Sequence, residues 1–456
     1  MLKLSGGTLI GRMGLLAGLT LIFACGGDTG GGGEDGAGTQ TGPTSGDGDG
    51  DGDGDGDGDG DGDGEGDGDG DGEGDGDGDG DGDGDGTKWD TLAIPDADTS
   101  CGNGNGGDPE LSYIWIANSS QGTMSKINTD TMIEEGRYWV RPDHAGSPSR
   151  TTVNLSGDVA IAARQGGITK VWANTDHCIE SNGMPGIQTS SGGNDILDWD
   201  VEECRQWHTP MNYASHRPMA WAPGEFNKAQ CKYENEKLWT SGSISYSGSP
   251  DVLLVDGETG QVDEKIVVPQ QHASAYLYGG AVDGDGNFWG LQNSQRIIRV
   301  DRDDYSVQSW AIPGGPGYGI AVDVENRVWL CGGGHAQRFD PGDESWKQTP
   351  GASSGIGGCM TDGEGTLYHS RYSQGVIVAI DTETVMPIKE YVIPAYVHGI
   401  SVDFDGKVWG VTFASTQAFR LDVDTEEVDT FNGLVGAYTY SDMTGFALNS
   451  VGNPNG

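Results

Sequence analysis

The sequence predicts an all-β protein: a seven-bladed β-propeller with a C-terminal strand completing the first blade, preceded by a disordered Gly-Asp tether. Three observations carry that prediction. Four near-identical units recur at a period of about 40 residues, each alternates apolar and polar residues between Gly and Asp, and Gly46 to Gly86 contains only Gly, Asp and Glu. A period of that length built from short alternating segments is the signature of four-stranded sheets repeated around an axis.

The N-terminus comes first. Lys3 and Arg12 flank the start of a short apolar run, Gly14 to Phe23. A bilayer span needs about 20 apolar residues, so this run reads as a signal segment. It ends in Leu21-Ile22-Phe23-Ala24-Cys25, which resembles a bacterial lipobox. That resemblance implies a signal peptide over residues 1–24, cleavage before Cys25 and palmitate or a similar lipid on its thiol. Gly26 in the next position resembles lipoproteins sorted onward. The expected location is therefore export, with lipid anchoring to the bacterial cell envelope at the outer membrane or cell surface, and the lipid bilayer as a partner through Cys25.

Residues 25–107 then read as a linker. From Asp47 to Asp85 every odd residue is acidic and every even one is Gly. Such a segment has no apolar surface to offset the entropy of ordering, and its like charges repel. About 80 residues of this kind span roughly 50 Å even before repulsion extends them. Removing the 20 acids of the tract from the net charge of −46 still leaves −26. A chain this acidic is repelled by phosphate backbones, which excludes nucleic acid as a partner.

Residues 108–456 carry the repeat. Its clearest units run Gly279 to Trp289, Gly319 to Trp329, Gly358 to Tyr368 and Gly399 to Trp409, with aromatics spaced by 40, 39 and 41 residues. Each unit gives an innermost strand of small residues, an acidic turn, an aromatic-bearing second strand, a third strand ending in Asp and an outer strand ending in Ile-Pro. A proline suits an edge strand, which can spare an N–H. Weaker units extend the count. Tyr113–Ala117, Met124–Asn128 and Arg137–Val140 supply strands two to four of a first blade with no innermost strand. Arg150 and Arg217 open the second and third blades. Thr444–Asn449 reads as an orphan innermost strand that fills the first blade's vacancy and closes the ring.

Two departures interrupt the period, within an insertion at about 177–236: extra residues between His177 and Ser215, and a lengthened hairpin from Ala222 to Glu236. Insertions on propellers emerge at a rim, which makes this rim a candidate binding face. Beyond Cys25 the chain has six cysteines, an even number in an exported protein. The repeat places Cys331 and Cys359 on adjoining strands of neighbouring blades, which favours that disulfide. Cys178, Cys204 and Cys231 fall together in the insertions, and the partner of Cys101 stays open.

The candidate site follows from the blades. The residue opening each innermost strand should face the channel mouth, giving Ser149, Arg217, Tyr278, Tyr318, Gly357, His398 and Thr444, with Arg150 and His216 alongside. Of these, Arg150, Arg217, Tyr278, Tyr318 and His398 form the expected ligand site, suited to an anionic or aromatic small molecule or to a protein. Lining a water-filled tunnel is the other reading of the same residues. Asp283-Gly-Asp-Gly-Asn287 resembles the start of a calcium loop, but its counterparts in other blades mark it as a hairpin turn. Asp195, Asp198, Asp200, Glu202 and Glu203 could hold Ca²⁺, but solvated acids are the favoured reading in so acidic a chain. No nucleophile elbow, Walker loop, zincin or dinucleotide motif is present.

The x-Gly-Ile-Ala-Val-Asp-x-x-Gly-x-Val-Trp unit, repeated through roughly residues 111–449, resembles the virginiamycin B lyase (streptogramin lyase) superfamily. That resemblance implies a seven-bladed propeller and an elimination using a His base, a Glu-x-His stretch and Mg²⁺. This chain contains no Glu-x-His. No catalytic residue, metal site or cofactor is therefore expected; His398, the one histidine of the column, is the remaining catalytic candidate, with Mg²⁺ or Ca²⁺ as cofactor if catalysis occurs. The leading expectation is a monomeric, non-enzymatic lipoprotein propeller that binds a ligand or protein. A lyase-like or hydrolytic propeller is the alternative.

Overall fold

A computed structural model describes residues 112–452 apart from 228–231, 293–294, 315–316, 333–334 and 351–355. The signal segment, Cys25, the Gly/Asp tract, Cys101 and Cys231 lie outside the described residues. The described chain is nearly all β and forms seven blades. Blade one has three strands, Tyr113–Asn118, Thr123–Asn128 and Glu134–Trp139, and the other six have four each, all antiparallel. Their innermost strands begin at Pro148, Ser215, Gly279, Gly319, Cys359 and Val397.

One repeated device explains the Asp and Trp six residues apart in the sequence. Asp283 accepts hydrogen bonds from the N–H groups of Asp285 and Asn287, closing the inner turn, and its second oxygen accepts the Trp289 indole N–H at 2.8 Å. Asp323 does the same for Trp329 at 2.8 Å, and Asp403 for Trp409 at 2.7 Å. All three indoles are buried between blades. The acidic turns are therefore clasps, as the hairpin reading expected, with the aspartates committed to backbone and indole N–H groups. The leading glycines have a packing role as well. A Cβ on Gly399 would lie 2.1 Å from the Thr439 carbonyl oxygen, and one on Gly358 2.9 Å from that of His398. Only a bare Cα lets neighbouring innermost strands approach so closely.

The ring closes through the C-terminus, just upstream of the expected strand. The N–H of Tyr438 bonds the Ala117 carbonyl at 3.1 Å, the N–H of Trp115 bonds the Met443 carbonyl at 2.9 Å, and Asn118 bridges to Ala437. Residues 437–443 thus lie along blade one's vacant inner edge. The expected strand at Thr444–Asn449 gives way to helix α1 (Phe446–Gly452). Asp442 is the cause, since its carboxylate accepts the N–H groups of Gly445 at 2.9 Å and Leu448 at 3.0 Å, capping the first turn. α1 packs on the innermost strands of blades three, five and seven and buries Phe446, Leu448 and Val451. Above it the axis keeps a cavity of about 40 Å³, lined by Met219, Ala281, Ala321, Met360 and Leu448 among others.

Candidate functional site at the channel mouth

Irregularities in the innermost strands build this site. In blade two the register slips between Pro148 and Arg150, leaving Ser149 as the extra residue. Blade three slips across Arg217 and Pro218, and blade seven at His398. A bulge re-aims the side chain it carries, so three of the seven blades turn a polar residue out of the regular ladder at the same end of the channel. Blades four and five reach that end with Tyr278 and Tyr318, each hydrogen-bonded through its N–H to the second strand.

Side chains from five blades converge there. The hydroxyls of Tyr278 and Tyr318 lie 2.6 Å apart, those of Tyr278 and Tyr438 2.5 Å apart, and Tyr318 also contacts Tyr438. His398 meets the Tyr318 hydroxyl through Nε2 at 3.0 Å and the Tyr396 hydroxyl through Nδ1 at 3.0 Å. Arg150 is fully buried, donates to the Tyr278 carbonyl at 2.7 Å and stacks on the Tyr440 ring. Arg217 lies 5.0 Å from the Tyr278 ring centre and Arg164 4.4 Å from that of Tyr438. The three tyrosine hydroxyls meet and form a floor across the mouth, where the alternative reading has a water-filled tunnel.

The electrostatics are one-sided. None of Arg150, Arg164 and Arg217 makes an ion pair among the described residues. Arg217 Nε and Nη1 and Arg164 Nε are buried donors with no bond partner. Burial, with Arg217 as a further cause, holds the Arg150 guanidinium down to about 9, and the same two influences lower Arg164. Both remain cations at neutral pH. Burial and the nearby Arg150 and Arg164 push His398 down to about 3, so its imidazole is neutral. A neutral imidazole has one N–H and one lone pair, and here both nitrogens face tyrosine hydroxyls.

The expected column is thus largely assembled. Arg150, Arg217, Tyr278, Tyr318 and His398 share one opening. Thr444 does not: it bonds the Val402 carbonyl at 2.6 Å beyond the closing segment, and Tyr438 takes its place. His216 is buried behind the mouth, bonded through Nε2 to Thr240 at 2.8 Å. Arg164, Tyr438 and Tyr440 were missed. Tyr438-Thr439-Tyr440 carried a signal, a period-two aromatic pair just after Gly436. Arg164 carried none, because it sits in a turn between second and third strands and reaches the axis only through the fold.

The insertion lies elsewhere. It leaves blade two beside Val171, which pairs with Val159 at the end of the sheet remote from Arg150, and the hairpin of Glu225–Asn227 and Lys232–Glu234 leaves blade three at the end remote from Arg217. Insertions and mouth therefore occupy opposite ends of the blades rather than one rim. Cys178 and Cys204 form a disulfide at the insertion's base, and Cys331 and Cys359 form another between blades five and six, with Cα–Cα 6.0 Å in the latter. Two of the insertion's acids serve its own backbone. Glu203 accepts the N–H groups of Ser181, Asn182 and Gln188, and Glu202 those of Ser190 and Cys204. Asp195 accepts from the Ser191 hydroxyl. Among the described residues no three His, Cys, Asp or Glu side chains converge as metal ligands, at the insertion or beside His398.

No protein-family model and no curated protein matches the chain. Solved structures do. A catalytically inactive virginiamycin B lyase from Staphylococcus aureus with quinupristin is 15% identical with a TM-score of 0.43, covering 62% of this chain and 84% of that one. Apo AztD from Citrobacter koseri is 10% identical, with a TM-score of 0.46 over 72% of this chain and 96% of that one. A functionally unknown protein from Desulfotomaculum acetoxidans is also 10% identical, with a TM-score of 0.51 over 72% of this chain and all of that one. Identities this low speak for fold alone, and it is the seven antiparallel sheets themselves that make this chain a seven-bladed β-propeller.

Proposed function

We propose that this protein is a non-enzymatic binding propeller, lipid-anchored to the cell envelope through Cys25 and held off the membrane by its Gly/Asp tether, that captures an anion at the channel mouth. One observation supports this reading above the others: three arginines without ion pairs converge where two of them keep buried, unbonded N–H donors. Leaving such a donor unsatisfied costs about 1–3 kcal/mol, and more when it is charged. Like charges raise that cost further, and a bound anion relieves both. The arrangement of His398 speaks against base catalysis, since both ring nitrogens are engaged by tyrosine hydroxyls and, among the described residues, no carboxylate orients either one.

Calorimetric titration of the propeller with inorganic phosphate and with acetate tests the mouth. Arg217→Ala should weaken binding by about 2–5 kcal/mol, the usual cost of removing one partner of a desolvated charge pair. Anion binding that ignores this substitution would refute the site. For the anchor, Cys25→Ser should abolish incorporation of labelled fatty acid and release the protein from membranes. A wild-type protein that never takes up label would remove the lipoprotein part.

A further inference from the structure

Around the cationic floor the aromatics continue outward in three spokes. Tyr278 touches Tyr276 (centroids 6.3 Å), which meets Tyr246 edge-on at 5.5 Å. His398 touches Phe413 at 4.8 Å. It also touches Tyr396 at 6.2 Å, which meets Tyr372 at 5.5 Å. The outer ends are open to solvent: Tyr246 is 61% exposed, Phe413 42% and Tyr372 41%. Exposed rings scattered singly need no explanation, but these are joined ring to ring to one charged centre.

The inner rings decide where a ligand can sit. Tyr318 packs at 4.7 Å from Tyr278 and 4.9 Å from Tyr440, and Tyr438 at 5.6 Å from Tyr440. Those spacings are of rings already in contact, leaving no room for a ligand's body among them. Arg164 and Arg217 are half-buried where Arg150 is buried, so an anionic head approaches them from the outer side, and its body must then lie across the collar. Faces and edges of tyrosine and phenylalanine favour a flat π-system there over a branched aliphatic one, through offset and edge-on contacts worth about 0.5–1.5 kcal/mol each beyond buried area.

We infer that the mouth selects a small aromatic acid, its carboxylate or phosphate held by Arg164 and Arg217 and its ring laid on one spoke of the aromatic collar that ends in Tyr246, Tyr372 and Phe413. This rests on the reading of the mouth as an anion site and adds the chemistry of the ligand's body. The probes are 2-naphthoate, cyclohexanecarboxylate, acetate and neutral 2-naphthalenemethanol, titrated into the propeller and two variants. The inference expects 2-naphthoate to bind at least about ten-fold more tightly than cyclohexanecarboxylate, the equivalent of about 1.4 kcal/mol. The triple variant Tyr246→Ala, Tyr372→Ala, Phe413→Ala should erase that preference, bringing 2-naphthoate down to the affinity of cyclohexanecarboxylate. All three positions are exposed, so folding is preserved, and circular dichroism of the variant checks it. Equal binding of the two ring acids, both lost in Arg217→Ala, would overturn the aromatic collar and keep the anion site. Equal binding of 2-naphthoate and its neutral alcohol, unaffected by Arg217→Ala, would overturn the anion site itself.

Discussion

Glu236 is a carboxyl in the wrong solvent. One oxygen accepts from Asn154 Nδ2 at 2.7 Å, the other has no partner, and the residue is buried. Burial, only partly opposed by Lys170, raises it from 4.5 to about 7. The folded state therefore holds the proton more tightly than the unfolded chain. Its stabilising contribution is complete below the unfolded value of 4.5 and is lost as pH rises through about 7. The shift is worth up to about 3 kcal/mol. Glu236→Gln should flatten that part of the stability curve, read as urea midpoints between about pH 5 and about pH 8. An unchanged slope in the variant would assign the pH dependence to other groups. At this scale the sequence revealed what the repeat made countable. Tyr278, Tyr318 and His398 were found because each opens a unit, whereas neither Glu236 in its lengthened hairpin nor Arg164 in its turn has a counterpart to align with.

Elements were legible where local chemistry and period agreed. The Asp-to-Trp clasp is a fixed offset within one hairpin, so the sequence displays it directly and the strands on either side follow. Bulges are invisible to the same reading, because an extra residue opposite one partner leaves no mark in an alternation of apolar and polar residues. The column at Arg217 and His398 was nonetheless found, since the bulge moves the side chain without moving the strand's start. α1 shows the opposite failure. Phe446 and Leu448 alternate as a strand would, but Asp442 caps the segment and every apolar face is buried in the ring's centre, so periodicity alone could not choose. Residues 437–443 close blade one with few regular bonds, which is why a strand pattern there is weak.

For the whole molecule, closure depends on this C-terminal segment. It does two separable things: residues 437–443 cover blade one's inner edge, and α1 seals the axis. Phe446, Leu448 and Val451 are each buried, and at about 1.5–3 kcal/mol per large side chain they sum to a sizeable share of the 5–15 kcal/mol typical of a domain. Removing residues 446–456 should therefore lower the urea midpoint while blade one stays paired through Trp115 and Ala117. Removing residues 437–456 should also bare the inner edge of Tyr113–Asn118, so limited proteolysis should cut first within residues 113–139. It also takes Tyr438 and Tyr440 from the mouth, so anion binding should fall in the longer truncation and survive in the shorter one. A synthetic peptide of residues 437–456 added to the longer truncation should restore both protection and binding, because the vacancy it fills is already shaped by blades one and seven. Equal midpoints and identical cleavage patterns for all three chains would show that the ring closes without this segment.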